Sequence, residues 1–226
     1  MELQLQVGIK IIDFEQLWNE YERIIVDEGA IILTASGSFT HKTIQSNEKL
    51  YKYKWIWVKN KKGNFVNAKN RPMTSFEEVL VFSKGNTANG SKLKMNYYPQ
   101  GLTKINKKQK AGKNRFGTMA GKRPSHKEEF ITEYTGYPSD VLHFDKDSEN
   151  LHPTQKPVAL FEYLIKTYTQ EGDVVLDNCM GSGTTAVACE LTNRKWIGFE
   201  TESKYIEVIN KRLDQIQLDN DLKDYE

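Results

Sequence analysis

The sequence predicts an α/β sheet protein. Short apolar strands alternate along the chain with segments of helical periodicity, the order that builds a sheet covered by helices. Residues 174–190, VVLDNCMGSGTTAVACE, read as a strand, a glycine turn and the start of a helix. No internal repeat breaks the order, and no apolar run reaches the roughly 18 residues that cross a bilayer. A length of 226 residues accommodates one large domain, or one domain with an insertion.

The elements follow in chain order. LQLQVGI, at 3–9, alternates apolar and polar residues as a half-buried strand does. Asp13 begins a helix, with Gln16 three positions on in the capping-box arrangement. Phe14, Leu17, Trp18, Tyr21, Ile24 and Ile25 form an apolar stripe along it, and Gly29 closes it. AIILTA, YKWIWVK and VLVFS read as three strands, and DVLHF as a fourth. KPVALFEYLIKTY is a helix with Pro157 in its first turn, where a missing N–H costs nothing. After the glycine turn, KWIGFE is a strand. A last helix runs from about Lys204 with Ile206, Ile209 and Leu213 on one face, and an acidic tail, 215–226, ends the chain. Residues 84–137 lack periodicity and are rich in Gly, Asn and Lys, which predicts a loop-rich insertion.

Charge is unevenly spread. The formal net charge is +2, yet residues 49–127 hold 20 Lys and Arg against only Glu77 and Glu78. Residues 84–127 hold 12 basic residues and no acid. Such an excess suits a polyanion partner, although a solvated Lys-rich loop reads the same way. Tyr97, Tyr98, Arg115 and Phe116 lie among the lysines and favour nucleic acid, because bases stack on aromatic rings. Cys179 and Cys189 form no disulfide framework and no zinc spacing, so a reducing, cytoplasmic setting and no metal are expected. The N-terminal residues lack the basic start and apolar block of a signal peptide.

Three ligands could explain the glycine turn. A nucleoside triphosphate loop requires a lysine after its last glycine, and none is present. Gly181, Gly183 and Ala186 fit the dinucleotide fingerprint, with Glu200 placed for a ribose hydroxyl. Asp177 argues against phosphate: a carboxylate about 5 Å from a pyrophosphate would cost roughly 3 kcal/mol at an effective dielectric near 20. The same side chain suits S-adenosylmethionine, which carries a sulfonium and an ammonium. The bland alternative is that Asp177 caps the turn and the glycines only permit tight packing.

LDNCMGSGTT (176–185) resembles the S-adenosylmethionine motif of the DNA amino-methyltransferases, which modify adenine N6 or cytosine N4. HPTQKPVALFEYLI (152–165) is similar to the family's methionine-pocket segment, and KWIGFE to the strand whose acid binds the ribose. DFEQLWNEYERIIVDEGAIIL, YKYKWIWVKN and NRPMTSFEEVLVFSK look like its catalytic half. The order of parts resembles the permuted class called beta. The resemblance implies a Rossmann-like S-adenosylmethionine-dependent methyltransferase sheet. It divides the chain into a catalytic half (1–83), a basic target-recognition insertion (84–137), a cofactor half (138–214) and the tail.

It also implies residue roles. Asp177 and the backbone of Asn178, Cys179, Met180, Gly181, Ser182 and Gly183 would face the cofactor's amino acid and sulfur. Thr184 and Thr185 would donate to its carboxylate, and Glu200 would accept both ribose hydroxyls. His152, Thr154 and Lys156 would hold the methionine end. Lys107, Lys108, Lys110, Lys113 and Arg115 would lie near the phosphates of double-stranded DNA.

One part of the family pattern is missing. The Asp-Pro-Pro-Tyr motif that activates the target amine and stacks on the flipped base has no counterpart, because the sequence contains no Pro-Pro pair. No catalytic residue is therefore assigned. The motif's strand sits mid-sheet beside the one carrying Asp177, so an unpaired sheet centre is expected unless LQLQVGIK substitutes for it. The expected function is methyl transfer to adenine N6 of DNA, from an N-terminally truncated chain, with a homodimer or a complementing polypeptide as partner. A non-catalytic S-adenosylmethionine- or DNA-binding remnant and an NAD-dependent oxidoreductase are the alternatives.

Overall fold

Helix α1 (Phe14–Ile24) starts where the sequence places it. The Asp13 carboxylate accepts the Glu15 and Gln16 N–H groups at 2.8 and 3.4 Å, satisfying donors that a helix end leaves unpaired. The computed structural model describes residues 13–110, 129–149 and 151–223, with the side chains at 220 and 223 outside the description. Met1–Tyr98 and Asp140–Glu226 form one compact unit, and Pro99–Ser139 forms a second. The segment LQLQVGIK lies outside the described residues.

The first unit contains a four-stranded sheet ordered β1 (Ile31–Ala35), β3 (Thr74–Phe82), β2 (Tyr51–Gly63), β6 (Val141–His143). β3 runs antiparallel to β1 and β2, and β6 parallel to β2. The run Val79, Leu80, Val81, Phe82 is fully buried, because β3 is central and covered on both faces. Val79 and Val81 join Trp55, Trp57, Leu142 and the α3 (Val158–Tyr168) residues Leu160, Leu164 and Tyr168. Leu80 and Phe82 pack on the other face with Trp18, Ile31, Ala35 and Leu50. The tyrosine and tryptophan heads in this core are satisfied: Trp55 Nε1 donates to the Tyr168 hydroxyl at 2.6 Å, and Trp57 Nε1 to the Phe144 carbonyl at 2.8 Å.

Helix α2 (Ser38–Ser46) has no apolar stripe to announce it. It forms because Thr40 and Thr43 are buried against the sheet with their hydroxyls bonded to Glu78 and to the Phe39 carbonyl. Three further features depart from the sequence reading. The expected loop-rich insertion carries an antiparallel pair, β4 (Thr103–Lys110) with β5 (Glu129–Thr135), in the second unit. Residues 83–98 belong to the first unit instead: Ser83 Oγ donates to the Gly29 carbonyl and Asn96 N–H to the Glu28 carbonyl. The acidic tail is largely a continuation of α5 (Ser203–Lys223).

The glycine turn joins a separate parallel pair, β7 (Val174–Asp177) and β8 (Lys195–Gly198), through α4 (Thr184–Glu190). Val175 and Trp196 face a small core of Ile165, Ala188 and Cys189. Val174, Leu176 and Ile197 alternate with them and are 58%, 39% and 51% exposed, with Phe199 beyond at 60%. Among the described residues β7 pairs only with β8, and β1 only with β3. The expectation of an unpaired sheet centre turned on LQLQVGIK, which lies outside the described residues.

Trp18 anchors α1: its ring lies 4.8 Å from that of Phe82, and its Nε1 donates to Ser46 Oγ at 2.8 Å. Trp18→Ala should cost about 3–5 kcal/mol in urea unfolding, against about 1–2 kcal/mol for Ser46→Ala, which removes the hydrogen bonds to Trp18 and to the Thr43 carbonyl but no packed ring.

Candidate functional site

The turn between β7 and α4 needs a left-handed backbone at Gly181 (φ 52°) and Gly183 (φ 78°), which favours glycine. Close packing adds a second reason at Gly183, where a Cβ would meet Ile209 Cγ1 at 2.7 Å. Asp177 braces the turn from the end of β7. One carboxylate oxygen accepts the Cys179 N–H at 2.9 Å, and the other accepts the Thr185 hydroxyl. The capping arrangement is thus present, and it fixes the negative charge at the mouth of the turn.

A second carboxylate stands at the end of β8. Glu200 accepts the Gly181 N–H at 2.8 Å, and its other oxygen accepts the Thr201 and Glu202 N–H groups at 2.8 and 2.9 Å. Partial burial pushes this carboxyl up. The backbone donors at Glu202, Gly181 and Thr201, with His152 nearby, outweigh that and hold it below its ordinary value. Gly198 lets the turn settle against β8, since a Cβ there would lie 1.6 Å from Met180 Sδ.

The segment after β6 closes one side. The His152 ring would lie 3.5 Å from a Cβ at Gly181 and packs edge-on to Tyr205, with centroids 4.4 Å apart. His152 Nδ1 accepts the Thr154 N–H at 3.2 Å. Thr184 Oγ1 donates to the Lys156 carbonyl at 3.3 Å. The Lys156 ammonium is directed to Glu77, 2.7 Å away, and Lys59 pairs with the same carboxylate at 3.2 Å. Burial pushes the Glu77 carboxyl up, but Lys156 and Lys59 overcome it and hold it below the usual value of 4.5.

The structure therefore gathers Asp177, Asn178, Cys179, Met180, Gly181, Ser182, Gly183, Thr184, Thr185, Glu200, His152 and Thr154 around one turn. Lys156 joins them through its carbonyl. The Cys179 thiol is pushed up by burial and by the Asp177 and Glu200 charges, which disfavours a reactive thiolate. Lys107, Lys108 and Lys110 are exposed on β4 in the second unit, and Lys113 and Arg115 lie outside the described residues.

Four participants were not foreseen. The Tyr21 hydroxyl, read only as part of an apolar stripe, donates to Asn178 Oδ1 at 3.1 Å; burial, with Cys179 and Asp177 nearby, pushes its phenol up to about 12. Gln155 accepts from the Leu151 N–H and the Ser182 hydroxyl, and donates to Asp147. Arg212 donates to the Ser182 carbonyl at 2.7 Å. Gly198 was the one with a visible signal, a glycine two residues before the acid that ends KWIGFE.

Chemically, the turn presents two carboxylates and a run of left-handed glycine backbone. Two cations that approach it, Lys156 and Arg212, are engaged by Glu77 and by a carbonyl. This set fits a ligand bearing hydroxyls and positive charge, and suits linked phosphates poorly.

Comparison with known proteins agrees. The family model described as DNA methylase (N6_N4_Mtase) matches residues 11–211. The type II methyltransferase M.HpaI of Haemophilus parainfluenzae is 29% identical over 209 residues, covering 91% of this chain and 60% of that protein. The orphan methyltransferase M.BamHII of Bacillus amyloliquefaciens is 27% identical over 221 residues, covering 89% and 80%. The chain thus spans about three-fifths of the length of the first of these relatives. Among solved structures, the cytosine-N4-specific PvuII DNA methyltransferase superposes with a TM-score of 0.61 at 16% identity, covering 94% of this chain and 76% of that one. The M1.HpyAVI–SAM complex gives 0.57 at 24% identity, covering 87% and 80%. At these identities the structural likeness speaks for the fold.

Glu77→Gln would leave Lys59 and Lys156 buried without their partner and should cost about 3 kcal/mol at pH 7. Because the folded carboxyl lies below 4.5, its contribution is present above that pH and is lost as pH falls through the depressed value. Urea unfolding from pH 7 to pH 3 should show a shallower acid loss in the variant than in the native chain.

Proposed function

This chain belongs to the DNA methylase family, and on that premise we propose that it carries the methyl-donor half of a DNA amino-methyltransferase. Its cofactor is S-adenosylmethionine and its substrate double-stranded DNA, with adenine N6 as the target amine. The observation that supports this most is the pair of carboxylates, Asp177 and Glu200, bracketing a glycine turn whose neighbouring cations are already engaged. When bound, S-adenosylmethionine supplies an electrophilic methyl group on its sulfonium.

The chain's own residues then have separate tasks. Glu200 takes the ribose hydroxyls with the lone pairs its backbone donors leave over. Asp177 keeps the turn closed through Cys179 and Thr185 while setting a negative potential that favours the cationic centre. The backbone from Asn178 to Gly183 lines the sulfur and amino-acid end, with His152 and Thr154 at its edge. Lys156 acts through position: held by Glu77, it orients the carbonyl that Thr184 uses. The basic segment that carries Lys107, Lys108, Lys110, Lys113 and Arg115 supplies positive charge for the DNA backbone. The setting is the cytoplasm, where the DNA is.

The sequence has no Pro-Pro pair, so we assign none of its residues to accept the amine hydrogens. We place that task on a complementing polypeptide. What supports this is the edge of β7 that no described strand pairs with, and the exposed Val174, Leu176, Ile197 and Phe199. A patch of this kind marks an interaction site. The second reading, a non-catalytic binding remnant, rests on the same missing pair.

Calorimetry with S-adenosylmethionine and with NAD tests the cofactor. The chain should bind the former, and Glu200→Ala should weaken it by roughly 10- to 100-fold, the loss of hydrogen bonds to a charged acceptor. Binding of NAD alone would overturn the proposal. Labelled-methyl transfer to unmethylated duplex, followed by digestion and mass spectrometry, separates 6-methyladenine from 4-methylcytosine; turnover by the chain alone would remove the need for a complementing polypeptide.

A further inference from the structure

The β4–β5 ribbon of the second unit has two chemically different faces, and a bulge makes them so. In a regular strand, residues three apart point to opposite faces. Lys104 and Lys107 are three apart. The pairing slips between them: Lys104 opposes Tyr134, and Lys107 opposes Thr132. One extra residue of β4 is taken up there, and Asn106 adopts a left-handed φ of 46°. Directly opposed residues share a face, so the bulge turns both lysines to one side. With them lie Tyr134, Thr132, Phe130 and Gln109. The other side carries Lys108 opposite Ile131 and Lys110 opposite Glu129, with Glu133 on the same side as both partners. Lys110 Nζ lies 3.9 Å from the Glu129 carboxylate.

The two faces therefore differ in net charge although each has two lysines. Among the described residues the Lys104–Lys107 face holds no carboxylate. On the other, Glu129 and Glu133 offset Lys108 and Lys110. The first face also exposes aromatic rings, Phe130 at 44% and Tyr134 at 36%. A two-stranded ribbon is narrow enough to enter the major groove of duplex DNA. We propose that the Lys104, Lys107, Phe130, Tyr134 face of this ribbon is the surface that docks on duplex DNA, with the Lys108–Lys110 face turned away. This inference rests on the proposal that the chain acts on DNA. It replaces an undifferentiated basic segment with one oriented surface. Lys104 and Lys107 contact phosphates, and the two rings lie against sugars and base edges between them.

The experiment uses the full chain and a fluorescently labelled duplex of mixed sequence, with anisotropy titrations over a series of KCl concentrations. Each phosphate contact contributes about 0.9 to the slope of log K against log salt. The double variant Lys104→Ala/Lys107→Ala should lower that slope by about 2. Lys108→Ala/Lys110→Ala should change it by less than half as much. Phe130→Ala should weaken binding about tenfold at one salt concentration and leave the slope as it was, because a ring releases no counterion. Far-UV circular dichroism and melting temperature check that these exposed substitutions leave the fold intact. An equal or larger slope change in the Lys108/Lys110 variant, or native slope in the Lys104/Lys107 variant, would overturn the face assignment while leaving DNA binding in place. Failure of the native chain to bind duplex at all would instead overturn the DNA substrate, and this inference with it. Tighter binding to single-stranded RNA than to duplex would reject duplex DNA as the occupant.

Discussion

The turn after β7 holds its shape because two carboxylates satisfy the backbone around it. Asp177 takes the Cys179 N–H and the Thr185 hydroxyl, and Glu200 takes the Gly181 N–H together with two donors of its own loop. Unpaired backbone donors in such a place are costly, so the acids are structural requirements whatever ligand the turn holds. Reading Asp177 as a cap and reading it as a partner for a cation are therefore compatible. A capping carboxylate keeps its charge, and the charge disfavours phosphate whatever else the oxygens do. Glu200 is better fixed: three N–H donors hold it ionised and leave little freedom to its side chain.

Around this turn the chain spends its buried charges on position. Glu77 and Glu78 are neighbours on β3, so their side chains leave opposite faces of the sheet. Glu77 gathers Lys59 and Lys156 on one face, while Glu78 gathers Lys54 and the Thr40 hydroxyl on the other. The first ties the segment that precedes α3 to the four-stranded sheet, and the second ties α2 to it. The Glu77 pairs are the more buried, and pairs of that kind add little net stability over an apolar substitute, but losing one partner is expensive. Their effect is to fix where Lys156 and its carbonyl sit.

Much of this was legible in the sequence. Asp13, the stripe through Trp18 and the alternating apolar runs located α1 and the strands, because their signals are local. LDNCMGSGTT, HPTQKPVALFEYLI and KWIGFE fall around one turn, as their resemblance implied. Helix α2 was not legible, since threonines buried by tertiary hydrogen bonds leave no apolar period. The β4–β5 pair was hidden because β4 is mostly lysine and polar residues, and only the register reveals which lysines share a face. Tyr21 was hidden for another reason: an aromatic ring at helical spacing reads as core, and its hydroxyl's partner lies 157 residues away in sequence.

The division between the two sheets gives α3 an unusual share of the work. No strand pairing joins β7 to the four-stranded sheet among the described residues, so continuity must come from side chains. Leu160, Leu164 and Tyr168 of α3 pack on Trp55, Trp57, Val79 and Val81. Ile165, on another side of the same helix, packs on Ala188 and Cys189 of α4. The Tyr21–Asn178 hydrogen bond and the Lys156–Glu77 pair are further polar ties across the junction. Hydrophobic contacts of this kind are non-directional, whereas a shared strand would fix register and angle together. The turn after β7 is therefore held firmly within its own half and more loosely against the four-stranded sheet. A strand added at the open edge of β7 would change that balance most, because it would supply the directional bonds that α3 cannot.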